Sequence, residues 1–181
     1  TFMPIFYETY FFNIIINHFQ TNFDFNETCL RISLAVATIS LFTDNDDYIQ
    51  QIYESLPIYN IISMIFDENG LDNETKKLGL CLISNYAAHG VDFIDTLLEN
   101  QFRPKILDYF YEFSSELKVE CGFCFAIAIL KGNEEQINYF TDEITIQILI
   151  DCLDIKINDL TLIIFKSFLK LIEIDTNVLN Y

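Results

Sequence analysis

The chain has 181 residues, 51% of them hydrophobic, with only 5 Gly and 3 Pro. That is ample material for one core and too few turn formers for a sandwich or barrel. A net charge of −17, from 27 acidic and 10 basic residues, argues against nucleic-acid binding and against an anionic lipid surface, since both require clustered Lys and Arg.

The same acidic field steers in basic peptides or basic protein patches. The cysteines Cys29, Cys81, Cys121, Cys124 and Cys152 are odd in number and irregular in spacing. They argue against a disulfide framework and for a reducing compartment, cytoplasm or nucleus. No signal peptide opens the sequence. The apolar run from Phe11 to Phe19 is broken by Asn13, Asn17 and His18, too short to insert into a membrane. Apolar and aromatic residues at both ends suggest a segment of a longer, larger assembly.

Pro4 to Phe19 reads as a first helix, with proline tolerated in its first turn. Thr21 to Asn26 is a polar break, and Asn26 is an N-cap candidate for the helix Glu27 to Phe42. Asp44 to Asp47 cap a short helix, Tyr48 to Ser55. Pro57 opens the next, through Phe66, where Ile58, Ile61, Ile62 and Ile65 share one face. Asp67 to Asn73 is the longest loop and contains the turn signal Asn69-Gly70. Asn73 or Thr75 caps a long helix through Ala88, which His89-Gly90 ends, the glycine supplying a left-handed C′ position. Val91 to Glu99 is short, Asn100 to Arg103 a break, and Pro104 to Phe113 of medium length. Ser114 or Ser115 caps Glu116 to Leu130, which Gly132 ends. Glu134 to Phe140 is short, Thr145 to Leu153 medium, and Asn158 or Asp159 caps a last long helix through Ile172.

The order short, medium, long therefore recurs. Glu74-Thr75-Lys76 and Glu116-Leu117-Lys118 open two matching long helices about 42 residues apart, within the window of helical solenoid repeats. The expected organisation is one all-α solenoid: a partial repeat at 1–25, repeats at 26–66, 67–113 and 114–155, and a partial repeat at 156–181. Such units bury their apolar faces only by stacking.

A three-helix unit of this length resembles the armadillo repeat and implies a right-handed superhelix. Within that family the chain resembles importin α (karyopherin α). The likeness is carried by Glu134-Glu135-Gln136-Ile137-Asn138-Tyr139-Phe140 with Ile148 to Leu153, by Leu82-Ile83-Ser84-Asn85, and by Ile164-Phe165 with Phe168 to Ile172. Importin α uses Trp-x-x-x-Asn pairs on its long helices to hold an extended basic peptide, the rings stacking on lysine stems. The matching positions here are Leu34 and Thr38, Cys81 and Asn85, Phe123 and Ile127, and Lys166 and Lys170. Asn85 keeps its type and Phe123 its aromatic face, so the ladder is degenerate. The resemblance implies a protein-interaction module acting in nuclear import. The competing expectation is a scaffold subunit of a cytoskeletal or other multiprotein assembly, without nuclear-signal binding.

No chemistry is legible. Cys121-x-x-Cys124 lies in an apolar helix without a second pair and reads as core. His18 and His89 are isolated. Asp44 to Asp47 and Asp67 to Asn73 fail the calcium-loop pattern. No phosphate loop, nucleophile elbow or catalytic triad is present. The expectation is a non-enzyme without cofactor or metal, whose partner is a protein or peptide of basic character.

Overall fold

A computed structural model describes residues 17, 27–41, 46–67 and 70–178. The expected helix Pro4 to Phe19, the break after it and the Asn26 cap lie outside that set, Asn17 apart, as do Asp44 and Asn45 of the acidic cap. Every regular element among the described residues is helical. In order these are α1 (Glu27–Ser40), α2 (Asp46–Ser55), α3 (Ile58–Asp67), α4 (Asn73–Ala87), α5 (Val91–Glu99), α6 (Phe102–Tyr109) with a 3-10 turn (Phe110–Glu112), α7 (Ser115–Lys131), α8 (Glu134–Phe140), α9 (Glu143–Leu153) and α10 (Asn158–Val178). The chain divides into two compact units, Thr1–Tyr86 and Ala87–Tyr181.

The helix bodies follow the apolar pattern, and the differences lie at their ends. The cap of α4 is Asp72, whose Oδ1 accepts the Thr75 N–H at 2.9 Å, rather than Asn73 or Thr75. Gly90 takes φ +113, but at the N-cap of α5 instead of the C′ position of α4. α6 begins at Phe102, two residues before Pro104, because Gln101 turns the chain in the left-handed region (φ 56) without a glycine. Pro104 still falls in the first turn, where its missing N–H costs nothing. α9 begins at Glu143, since Asp142 caps it through the Thr145 N–H at 2.9 Å. α10 starts from Ile157, whose carbonyl accepts the Thr161 N–H at 2.9 Å, so neither Asn158 nor Asp159 is its cap. It also runs past Ile172 to Val178, the polar residues after Glu173 being compatible with a helix that leaves the core.

In Thr1–Tyr86 the core is built from Leu30 and Leu34 of α1, Ile61 and Ile65 of α3, and Leu82 and Tyr86 of α4. In Ala87–Tyr181, α7 is the central helix and packs against α8, α9 and α10. Its Phe125 and Phe140 of α8 meet at 6.1 Å between ring centroids.

Burial reveals the repeat register. Every buried position of α4 from Thr75 to Ala87 has a buried counterpart 42 residues on in α7, for example Thr75 with Leu117, Leu80 with Gly122, Ser84 with Ala126 and Ala87 with Ile129. From α7 to α10 the step is 43 residues: Leu117, Cys121 and Cys124 map onto buried Leu160, Ile164 and Ser167. A second set does not stay buried. Val119, Gly122, Ala126 and Ile129 are covered, whereas their counterparts Leu162, Phe165, Leu169 and Ile172 are 54%, 53%, 59% and 59% exposed.

Gly122 sits where the neighbouring elements come closest. A Cβ there would lie 2.9 Å from Cys152 Sγ and 3.2 Å from Leu160 Cδ1. Gly122→Val is therefore expected to lower the unfolding free energy by about 1–3 kcal/mol in urea denaturation. Adding Cys152→Ala should recover part of that loss, since the two substitutions share one space.

Candidate functional site

Two sides of each long helix are taken by packing. One faces its own repeat, through Leu117, Cys121 and Cys124 on α7. The other carries Val119, Gly122, Ala126 and Ile129. What remains on α7 is Glu116, Glu120, Phe123, Ile127 and Leu130, exposed or half-buried at the 4-3-4-3 spacing of a single helical stripe. On α4 the same register gives Glu74, Leu78, Cys81, Asn85 and Ala88, none of them fully buried.

The residues singled out in the sequence fall unequally on this stripe. Cys81 and Asn85 lie on the α4 stripe, and Phe123 and Ile127 on that of α7. Asn85 Nδ2 donates to the Cys81 carbonyl at 2.8 Å, one turn back, so its carboxamide is oriented along its own helix. Leu34 does not belong with them. It is 0% exposed, because Leu30, Leu34, Ala37 and Leu41 are the counterparts of buried Thr75, Gly79, Leu82 and Tyr86, a step of 45 residues. That register puts Val36 and Ser40, two residues on, opposite Cys81 and Asn85. Thr38 is half-buried, and its hydroxyl donates to the Leu34 carbonyl at 2.8 Å.

On α10, Lys166 is exposed at the register of Phe123. Lys170, at the register of Ile127, has another task. Its Nζ donates to the carbonyls of Leu130 at 2.8 Å and Gly132 at 3.0 Å, closing the C-terminal end of α7. A cation is favoured there by the carbonyl dipoles. Burial, with Lys131 nearby, pulls the Lys170 ammonium below its ordinary pKa.

A set of polar bonds that sequence reasoning missed frames these helices. Arg31 pairs with Asp72 and, at 3.2 Å, with Glu74, while its Nε donates to Thr75 Oγ1 at 2.9 Å. Arg103 repeats the arrangement: it pairs with Asp142, and its Nε donates to Thr145 Oγ1 at 3.3 Å. Its guanidinium also lies 5.2 Å from the centroid of the Tyr139 ring. Asn133 and Gln136 form a reciprocal capping box at the start of α8. Gln136 Nε2 reaches on to the Val91 carbonyl at 2.9 Å and Asp95 Oδ1 at 2.6 Å. The signal was present as Asp-x-x-Thr at 72–75 and 142–145, each with an arginine about 40 residues upstream.

Partial burial pushes the Asp142 carboxyl upward, but Arg103 and the Thr145 N–H and hydroxyl outweigh it and hold the group below its ordinary range. The cysteines behave as core. Burial raises Cys121 well above a normal thiol, and burial with the Asp151 charge pushes Cys152 up to about 12. Among the described residues no group of three or more His, Cys, Asp or Glu is placed to hold a metal ion. No described helix is long and apolar enough to cross a membrane.

This architecture is that of the armadillo-type α-solenoid. The chain is similar to the designed armadillo repeat protein YIII(Dq)4CqI, with a TM-score of 0.76 and 16% identity over 93% of this chain and 68% of that one. It is also similar to the designed armadillo repeat protein YIII(Dq.V1)4CPAF, solved in complex with the peptide (KR)4, with a TM-score of 0.64 and 14% identity over 91% of this chain and 73% of that one. No family model and no curated protein matches the sequence. The similarity is one of fold.

Arg103→Ala removes an ion pair, a hydroxyl bond and a stacked cation together, and is expected to cost about 1–2 kcal/mol in urea denaturation at neutral pH. Because the folded chain holds the Asp142 carboxyl low, its stabilising share is present above the unfolded pKa of about 4 and is lost as pH falls through the folded value. Asp142→Asn should accordingly flatten the acid limb of the stability curve. Asn85→Ala, which removes only a bond within its own helix, should change stability by no more than about 0.5 kcal/mol.

Proposed function

We propose that the chain binds an extended, basic segment of a partner protein along the uncovered stripe of its long helices. The observation that carries this reading is the recurrence of the same uncovered positions, 42 residues apart, on α4 and α7. On α7 the stripe offers Phe123 as a ring on which a lysine or arginine stem can stack, with Glu116 and Glu120 one and two turns away to neutralise its charge. The net charge of −17 would draw such a segment in. The neighbour solved with (KR)4 binds a peptide of this chemistry on the same fold.

Asn85 and Phe123 support the narrower reading, an adaptor acting like importin α in nuclear import. One observation favours the alternative of an assembly scaffold. Lys166 and Lys170 stand where a lysine-rich signal would need an aromatic and an amide, and Lys170 is already engaged in closing α7.

Fluorescence anisotropy with a labelled (Lys-Arg)4 peptide tests the proposal. Saturable binding is expected, weakened about 3- to 10-fold by Phe123→Ala, the scale of a stacked cation, and further by Glu120→Lys. Absence of binding would remove both the basic-segment and the import readings. Binding without nuclear accumulation of a cargo bearing that peptide would leave the scaffold reading in place.

A further inference from the structure

The outer face of α10 stands apart from the equivalent faces of the preceding long helices. Leu162, Phe165, Leu169 and Ile172 are each more than half exposed. Their 3-4-3 spacing is that of two heptads of a helix seam. At the same register α7 carries Gly122 and Ala126 among its covered residues, small side chains that admit α9 and α10 closely. α10 presents Phe165 and Leu169 instead, which suit side-chain interdigitation with a separate helix. Exposed Lys166 and Glu173 follow Phe165 and Ile172 and flank the seam on one side, with opposite charges one heptad apart.

We infer that the occupant of this face is a second copy of the chain, its α10 lying antiparallel to the first about a two-fold axis near Ser167. Leu162 then meets Ile172 of the partner subunit, and Phe165 meets the partner subunit's Leu169. By symmetry each contact occurs twice, as an isologous interface requires. The antiparallel direction follows from the charges: it brings Lys166 opposite the partner subunit's Glu173, twice. A parallel pair would set Lys166 and Glu173 beside Thr161 and Phe168, with no charge to answer them. Closing the seam also neutralises the lysine that would oppose a basic segment at the fourth step of the groove.

A seam of two heptads lies at the small end of stable interfaces, roughly 1,200 Å² in total or less. The like net charge of two copies opposes it further. The association is therefore weak, with a Kd of about 1–100 μM.

Sedimentation velocity on the full chain between about 1 and 300 μM tests this. A reversible monomer–dimer equilibrium is expected. Leu169→Glu should abolish it without altering the melting curve, since the side chain is already exposed. Lys166→Glu and Glu173→Lys should each weaken the dimer at least about threefold, and the double exchange should restore it. A chain that stays monomeric throughout, a dimer indifferent to Leu169→Glu, or a double exchange no tighter than the single variants would overturn the proposal. Leu169 lies off the Phe123 stripe, so the peptide titration can succeed or fail independently.

Discussion

An α-helix leaves four N–H groups at its start and four carbonyls at its end without partners of its own. Here several of those ends are answered by side chains one three-helix unit away. Arg31 braces the Asp72 cap of α4 across 41 residues, and Arg103 braces the Asp142 cap of α9 across 39. Lys170 closes the end of α7 across 40 and 38 residues. Gln136, itself part of a capping box, ties α8 to the start of α5 across 45 and 41. Apolar burial supplies most of the driving force, but it is non-directional and tolerates sliding. A slip of one helical turn, 5.4 Å, would break every one of these bonds. They therefore convert a sticky stack of helices into one with a defined register.

Register in turn decides what each side of a long helix can be. Own-repeat packing takes the side of Leu117, Cys121 and Cys124. Close packing takes the side of Gly122 and Ala126, where the residues are small. The stripe of Glu116, Glu120, Phe123 and Ile127 is the geometric remainder, kept uncovered by the other two. A functional surface of this kind does not need chemistry to create it, since the fold holds its backbone in place whatever side chains it carries. Such a surface can change its residues without loss of stability. The Trp and Asn expected from the importin α resemblance can be absent while the fold persists.

That asymmetry explains what could be read from the sequence. The helix bodies and their three-part rhythm were legible because apolar periodicity is spread over many residues and survives substitution. The pairing of Glu74 with Glu116 even gave the 42-residue step that burial displays. Ends were harder. Asp72 and Asn73 are both good caps in isolation, and only the arginine at 31 distinguishes them. Gln101 in the left-handed region has no local signature, because its conformation is imposed by the helices on either side. The assignment of Leu34 to the groove slipped by two residues for a related reason. In α1 the expected ladder position holds neither an aromatic nor an amide, so nothing but burial could set the register there.

The lysines of α10 bear on what the proposed groove would accept. Lys170 stands at the register of Asn85 and Ile127, yet its ammonium is committed to the Leu130 and Gly132 carbonyls. Gly132 is buried, and losing the cation would leave its carbonyl without that partner, which is expensive in a low-dielectric setting. The lysine is thus held by the stability of the repeat before any ligand is considered. Its charge, added to that of Lys131, makes the C-terminal end of α7 locally basic, while Glu116 and Glu120 keep the N-terminal end acidic. A uniformly basic segment would be welcomed at one end and opposed at the other, unless Lys166 is neutralised by a neighbouring copy. The partner best matched to this helix is a short basic stretch that stops, or turns acidic, as it passes Ile127.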